Sequence, residues 1–302
     1  MIVAVRELSR NFNSRAALSG LSFAVPEGEL YAIAGPNGSG KSTLFRILST
    51  MLAPSSGRAE IAGFDVVAEP GKVRHRIGVV FQTNSFDRKL TVDENLSAQG
   101  RLYGLSTRTV EKRVGEVLHH LALEDRRDDP LKDLSGGLQR RVEIAKALLH
   151  SPTVLLMDEP STGLDPVARR QLWQYLDGLR RASAITILFT SHILEEVDRA
   201  DRVLMLHNGM RVAEGTGAEL KARVGGDVLV VETADPEALR SEIAARFQVS
   251  AQVVDGKVRM EIADGHRFVT TLVEAFPGAI NSVTCHKPTL EDVFIDLTGT
   301  HL

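Results

Sequence analysis

The sequence predicts an α/β protein of two domains: a mostly parallel sheet flanked by helices, then a smaller α+β domain. Three observations carry this. Short apolar runs alternate with helical segments from about residue 30 to 207, the rhythm of strand–helix–strand units. A block at 92–150 is almost wholly helical and reads as a subdomain (about 85–150) inserted into that rhythm. Beyond residue 225 the order becomes β-α-β-β-α-β, the ferredoxin-like or split-βαβ arrangement. Gly225-Gly226 marks the expected boundary, giving domains 1–225 and 226–302.

Residues 2–8, 20–25 and 30–34 alternate or run apolar and read as strands, with Pro26-Glu27-Gly28 turning between the last two. A glycine-rich turn follows Tyr31-Ala32-Ile33-Ala34, and Ser42–Met51 has helical periodicity. Strands are expected at 58–62 and 76–81, then helices near 92–103, 107–122 and 137–150. Val154-Leu155-Leu156-Met157 is the continuous apolar run of a strand buried on both faces. Helix 166–181, strand 185–190, helix 193–199 and strand 202–207 complete the first domain. The second reads as strand 227–233, helix 236–247, strands 249–254 and 257–263, helix 266–276 and strand 279–286, closed by helix Leu290–Leu297.

The 302 residues amount to two domains at ~150 each. Hydrophobic residues at 43% and charged residues at 25% are globular values that allow a sizeable core. No run approaches the ~18 apolar residues of a membrane span, and the N-terminus lacks the pattern of a signal peptide; a soluble, cytosolic protein is expected. The single cysteine, Cys285, excludes an internal disulfide framework and a multi-cysteine metal site. A net charge of −3 argues against a basic nucleic-acid binder, and the charge is uneven. Residues 226–302 carry 12 acidic against 6 basic side chains, the rest 27 against 30.

Gly35-Pro36-Asn37-Gly38-Ser39-Gly40-Lys41-Ser42 fits G-x-x-x-x-G-K-[ST] between a strand and a helix, the context a phosphate-binding loop requires. Its glycines let the backbone curl until N–H groups face a phosphate, and the helix N-terminus adds positive potential. Lys41 is placed to reach the β/γ-phosphates and Ser42 to bind Mg²⁺. Asp158 and Glu159 end the buried run at 154–157: Asp158 as a Mg²⁺ ligand, Glu159 as the base that polarises the attacking water. Ser135, a good N-cap, precedes Gly136-Gly137 at a second helix N-terminus, a further anion-binding device without its own lysine. Each of the last two motifs alone is more often a plain turn. Together with the first they are not.

The order Gly35–Ser42, Leu134-Ser135-Gly136-Gly137, Asp158-Glu159-Pro160 and Ser191-His192 resembles the ATP-binding subunit of ABC transporters over roughly residues 1–220. The resemblance implies a P-loop ABC ATPase domain binding ATP and Mg²⁺, with Gly35, Pro36, Asn37, Gly38, Ser39, Gly40, Lys41, Ser42 and Thr43 on the nucleotide. It implies that Phe12 stacks on adenine, that Gln82 contacts Mg²⁺ and water and senses the membrane partner, and that His192 contacts the γ-phosphate. Thr162-Gly163-Leu164-Asp165 becomes the loop through which two ATPase sites communicate. One position departs: the family's Leu-Ser-Gly-Gly-Gln has Leu138 at its fifth place, with Gln139 one later. Ser135, Gly136 and Gly137 supply the expected contacts, so activity is expected to survive. The closing segment Lys287–Gly299 resembles that of ATPase subunits from daunorubicin-resistance exporters; by its apolar spacing alone it is an amphipathic helix packed on the accessory domain.

The expectation is an ATPase subunit that energises export of a small molecule, drug-like, lipid or glycan, through a separate permease at the cytoplasmic face of the inner membrane. Two copies meet head to tail, ATP lying between the P-loop of one and Ser135-Gly136-Gly137 of the other. The competing class is a soluble ABC-type ATPase acting on DNA or ribosomes, disfavoured by the single cassette and the acidic tail. By fold analogy alone, residues 226–302 are a small-ligand sensor.

Overall fold

The computed structural model describes residues 1–13 and 15–300. The chain forms two compact units, Met1–Arg211 and Val212–Leu302.

In the first unit, β1 (Val3–Phe12) and β2 (Arg15–Val25) lead into β3 (Leu30–Ala34) and α1 (Lys41–Leu48). β4 (Ser56–Ile61), β5 (Phe64–Asp65), α2 (Pro70–Arg76) and β6 (Ile77–Val80) follow. β1 outruns the 2–8 expected from its apolar residues, because pairing with β2 carries it to Phe12 opposite Arg15. These two strands join β4 and β5 in an antiparallel sheet ordered β2-β1-β4-β5. β5 and α2 are too short to show a period, and the sequence does not announce them.

The helical block is α3 (Val92–Leu102), α4 (Thr107–His120) and α5 (Gly136–Leu148), close to the expected spans. Thr91 and Glu94 form a capping box at the head of α3. Then come β7 (Val154–Asp158), α6 (Pro166–Ser183), β8 (Thr186–Ser191), α7 (Leu194–Val197), β9 (Arg202–His207) and β10 (Met210–Gly215). The six-stranded sheet runs β10-β9-β3-β8-β7-β6, and the pairs from β9 through β6 are parallel. β3, β7 and β8 are buried at every residue, which explains the apolar runs 30–34, 154–157 and 187–189 within them. β10 lies outside the expected strands, although Asn208-Gly209, both at positive φ, is a two-residue hairpin signal.

The second unit holds α8 (Gly217–Lys221), β11 (Asp227–Thr233), α9 (Pro236–Phe247), β12 (Ala251–Val254), β13 (Lys257–Ile262), α10 (Gly265–Ala275), β14 (Ile280–His286) and α11 (Leu290–Thr298). Its antiparallel sheet is ordered β12-β13-β11-β14, the ferredoxin-like arrangement, over a core that includes Leu229, Val231, Ile243, Met260 and Leu272. The unit starts ahead of Gly225-Gly226 because α8 packs on α11. No helix among the described residues is long and apolar enough to cross a membrane.

Candidate active site

The parallel sheet delivers its site at the carboxyl ends of β3, β7 and β8, where loops from neighbouring strands converge. After β3 the chain turns through Gly38 and Gly40, at φ of 83° and 104°, backbone that side chains rarely adopt. At Gly35 space is the constraint: a Cβ would collide with Leu206 O and lie 2.6 Å from Ser39 Oγ. Gly40 is the N-cap of α1 and has no side chain to satisfy the first N–H groups, which suits an anion. Ser39 Oγ is likewise buried without a partner. Lys41 is buried, its Nζ donating to Gly35 O at 2.6 Å and Pro36 O at 3.0 Å. Burial pulls its ammonium below the ordinary lysine range, opposed by the carboxylates of Glu159 and Asp158.

This turn walls a cleft of ≈ 470 Å³ that Asn37, Lys41, Ser42, Thr43, Phe12 and Glu159 also line. Phe12 ends β1 half-open to solvent, with the Arg10 guanidinium 4.7 Å above its ring. An aromatic face at the cleft's edge suits stacking on a flat base.

Asp158 ends β7, and Glu159 follows at φ 46°, a left-handed conformation that is unusual for glutamate. Thr190 at the end of β8 holds both: its Oγ1 donates to Asp158 Oδ1 at 2.6 Å and accepts from Glu159 N–H at 2.9 Å. The three residues expected to be catalytic meet here. Glu159 Oε2 accepts from Gln82 Nε2 at 3.3 Å and from Thr162 Oγ1 at 3.0 Å, while Oε1 lies 3.2 Å from His192 Nδ1. Ser42, Gln82 and Asp158 offer only oxygen donors besides the Gln82 amide, a set that fits Mg²⁺. No cluster of three or more His, Cys, Asp or Glu able to hold a metal exists among the described residues.

The remaining expected residues lie apart from this cleft's lining. Ser135 caps α5, accepting from Leu138 N–H at 3.4 Å, and Ser135 and Gly136 are exposed. Asp165 caps α6, accepting from Val167 and Ala168 N–H at 2.9 and 3.0 Å; these bonds hold its carboxyl below the usual range. Gln139 is buried and donates to Leu131 O and Leu134 O, so it shapes the turn before α5 and does not replace the glutamine missing at 138.

Comparisons with known proteins identify the family. The ABC transporter family model matches residues 18–162, and the model for the C-terminal domain of DrrA1-3-like ATP-binding proteins matches 215–298. The Nod factor export ATP-binding protein I of Ralstonia nicotianae is 38% identical over 100% of this chain and 95% of its own length. The chain belongs to the ATP-binding subunits of ABC transporters. A second relative of these subunits, the daunorubicin resistance ATP-binding protein DrrA3 of Streptomyces coeruleorubidus, is 37% identical over 98% of this chain and 96% of its own. The ATP-binding cassette MJ0796, solved as a post-hydrolysis dimer bound to ADP and Pi, superposes with a TM-score of 0.64 at 27% identity, covering 71% of this chain and 98% of that one. As an ABC ATP-binding subunit the protein binds ATP and is an ATPase.

Sequence reasoning missed three buried residues that build this ABC site: Thr190, Arg140 and Glu196. Glu196 accepts from Ser191 Oγ at 2.8 Å and hydrogen-bonds Ser161 Oγ, with Arg169 at 3.7 Å. It thereby ties the residue before His192 to the loop after Glu159. Burial pulls the Arg140 guanidinium down to about 10, against the opposing charges of Glu143 and Asp158. No local signal marked Arg140 or Glu196, since a charged residue on a helix ordinarily faces solvent.

Proposed function

We propose that this ATPase energises export of a small molecule through a separate membrane permease, working as a homodimer with ATP at the interface. The observation that carries it is the convergence of Gln82, Thr162 and His192 on the Glu159 carboxylate, at the rim of the cleft walled by the phosphate-binding turn. Lys41 and the N-terminus of α1 bind the phosphates, and Phe12 stacks on the base. Glu159 accepts a proton from the attacking water while Gln82 and His192 fix its carboxylate. Ser42, Asp158 and Gln82 would hold Mg²⁺, which would supply charge neutralisation at the phosphates. Ser135, Gly136 and Gly137 lie outside the cleft of their own protomer, and so does Asp165. That placement supports a head-to-tail partner whose ATP they clasp, and the dimeric MJ0796 cassette is in keeping with it.

Export is supported by the roles in the relatives' names, Nod factor export and daunorubicin resistance. Their difference leaves the cargo at the level of a drug-like molecule, lipid or glycan. The subunit then sits peripherally at the cytoplasmic face of the membrane, on its permease, and has no nucleic-acid partner. Glu159→Gln tests the reading. It retains ATP binding, loses turnover by about 10²-fold or more, and accumulates as an ATP-bound dimer on sizing chromatography. A variant that stays monomeric with MgATP, or hydrolyses normally, refutes it; failure to co-purify with any membrane protein removes the permease.

A further inference from the structure

α5 is buried almost all round, with charged residues buried together with its apolar ones. Gln139, Arg140, Glu143 and Lys146 are buried, as are Val142, Ile144, Ala145 and Leu148, where a surface helix would expose its polar residues. Buried charges persist where they are paired and hydrogen-bonded, and these reach two loops. Arg140 Nε donates to Pro160 O at 2.6 Å, its Nη1 to Phe81 O, and its Nη2 to Asp158 O and Glu159 O, both at 3.3 Å. Glu143 accepts from Ser85 N–H at 2.7 Å and Ser85 Oγ at 3.0 Å, and Lys146 Nζ donates to Ser85 O at 2.7 Å. One helix therefore grips the Gln82 loop on both sides, at Phe81 and Ser85, and the Glu159 loop along three consecutive carbonyls. The first turn of that same helix is Gly136-Gly137 behind Ser135.

We propose that α5 is a strut between the two ATP sites, with Arg140 as its positioning residue. The N-terminus of α5 serves the ATP bound mainly by the partner copy, whereas its buried face holds Gln82 and Glu159 of its own site. Engagement of nucleotide at Ser135 shifts or stiffens α5, and Arg140 passes this to Glu159, whose left-handed backbone depends on the carbonyls being held. Hydrolysis in one site then requires that the other site's ATP be clasped. This rests on the head-to-tail arrangement proposed for the dimer.

The test is a double-mutant cycle on turnover. Arg140→Gln leaves nucleotide affinity within about threefold of wild type, because Lys41 and the α1 N-terminus are untouched, and lowers kcat at least about tenfold with KM little changed. Arg140→Lys recovers part of kcat. Ser135→Ala lowers kcat on its own, and the double variant is about as slow as the slower single one, since both changes cut the same chain. Losses that simply multiply overturn the strut, as does an Arg140→Gln enzyme with wild-type kcat. If Arg140→Gln does not fold, Glu143→Gln, which keeps the shape and weakens the Ser85 grip, takes its place in the cycle, and multiplying losses or a wild-type kcat again overturn the strut. Wild type is run alongside: absence of an MgATP-dependent dimer there refutes the head-to-tail arrangement and the strut together, while a working wild type with multiplicative losses refutes the strut alone.

Discussion

Replacing Thr190 by valine removes one oxygen from the most constrained point of the site. Thr190 is 1% exposed, and its Oγ1 is both the donor to Asp158 and the acceptor for the Glu159 N–H. Valine has nearly the same volume, so the loss is of hydrogen bonds and not of packing. An orphaned buried N–H costs about 1–3 kcal/mol, and a hydrogen bond to a charged carboxylate contributes about 1.5–3. Partial access of water to Glu159 lowers the first figure, which gives about 2–4 kcal/mol in all. That is a large part of the ~5–15 kcal/mol stability of a typical protein. Glu159 also loses the anchor of its φ 46° backbone, so its carboxylate leaves Gln82 and His192 and turnover falls at least about tenfold, ~1.4 kcal/mol on the barrier. Urea unfolding followed by circular dichroism and steady-state ATP hydrolysis measure the two effects, and Thr190→Ser restores both. A destabilisation under about 1 kcal/mol with turnover within about twofold of wild type would refute this account of how Glu159 is held.

Other sites give equally direct expectations. Gly35→Ala drives a methyl into Leu206 O, closer than any Cβ tolerates, so the turn shifts and nucleotide affinity drops at least about tenfold by titration calorimetry. Arg259→Ala strips the buried Asp292 carboxylate of its cation, 3.4 Å away, and costs about 3 kcal/mol, seen as faster hydrogen exchange in β13 and α11 while ATP affinity is unchanged. Asp227 accepts from Lys287 Nζ at 2.6 Å and from Gly265 N–H, which holds its carboxyl below the ordinary aspartate value of 3.8. A carboxyl depressed in the folded state contributes stability above that ordinary value and loses it as pH falls through the folded one. Acid unfolding of the second unit should therefore flatten below pH 3.8 in Asp227→Asn; an unchanged acid limb would show that the bond is inert.

Legibility in the sequence tracked how local each constraint is. The turn at Gly35–Ser42, the Asp158-Glu159 strand end and the Ser135 cap are contiguous strings whose chemistry depends on their own backbone. All three are readable before any fold is known. The apolar runs of β3, of β7 up to Met157 and at the centre of β8, and the period of α3 and α4, are equally plain. By contrast β5 and α2 carry too few residues for a period. α8 falls within the first domain by sequence, yet it belongs with the second because of a helix, α11, some seventy residues later.

The sequence alone determined the two-domain α/β and α+β plan, the nucleotide chemistry and, through the order of its motifs, the family. Which side chains cooperate was left to the tertiary structure. Gln82, Glu159 and His192 lie on three separate loops, and only the parallel order β3-β8-β7-β6 sets those loop ends side by side. The inward charges of α5 were invisible for the same reason. A charged residue on a helix reads as solvent-facing until its partners, at Phe81, Ser85 and Asp158 to Pro160, are folded against it. Local strings set what each loop can do. Burial, which makes an unpaired charge so costly, set which loops had to meet.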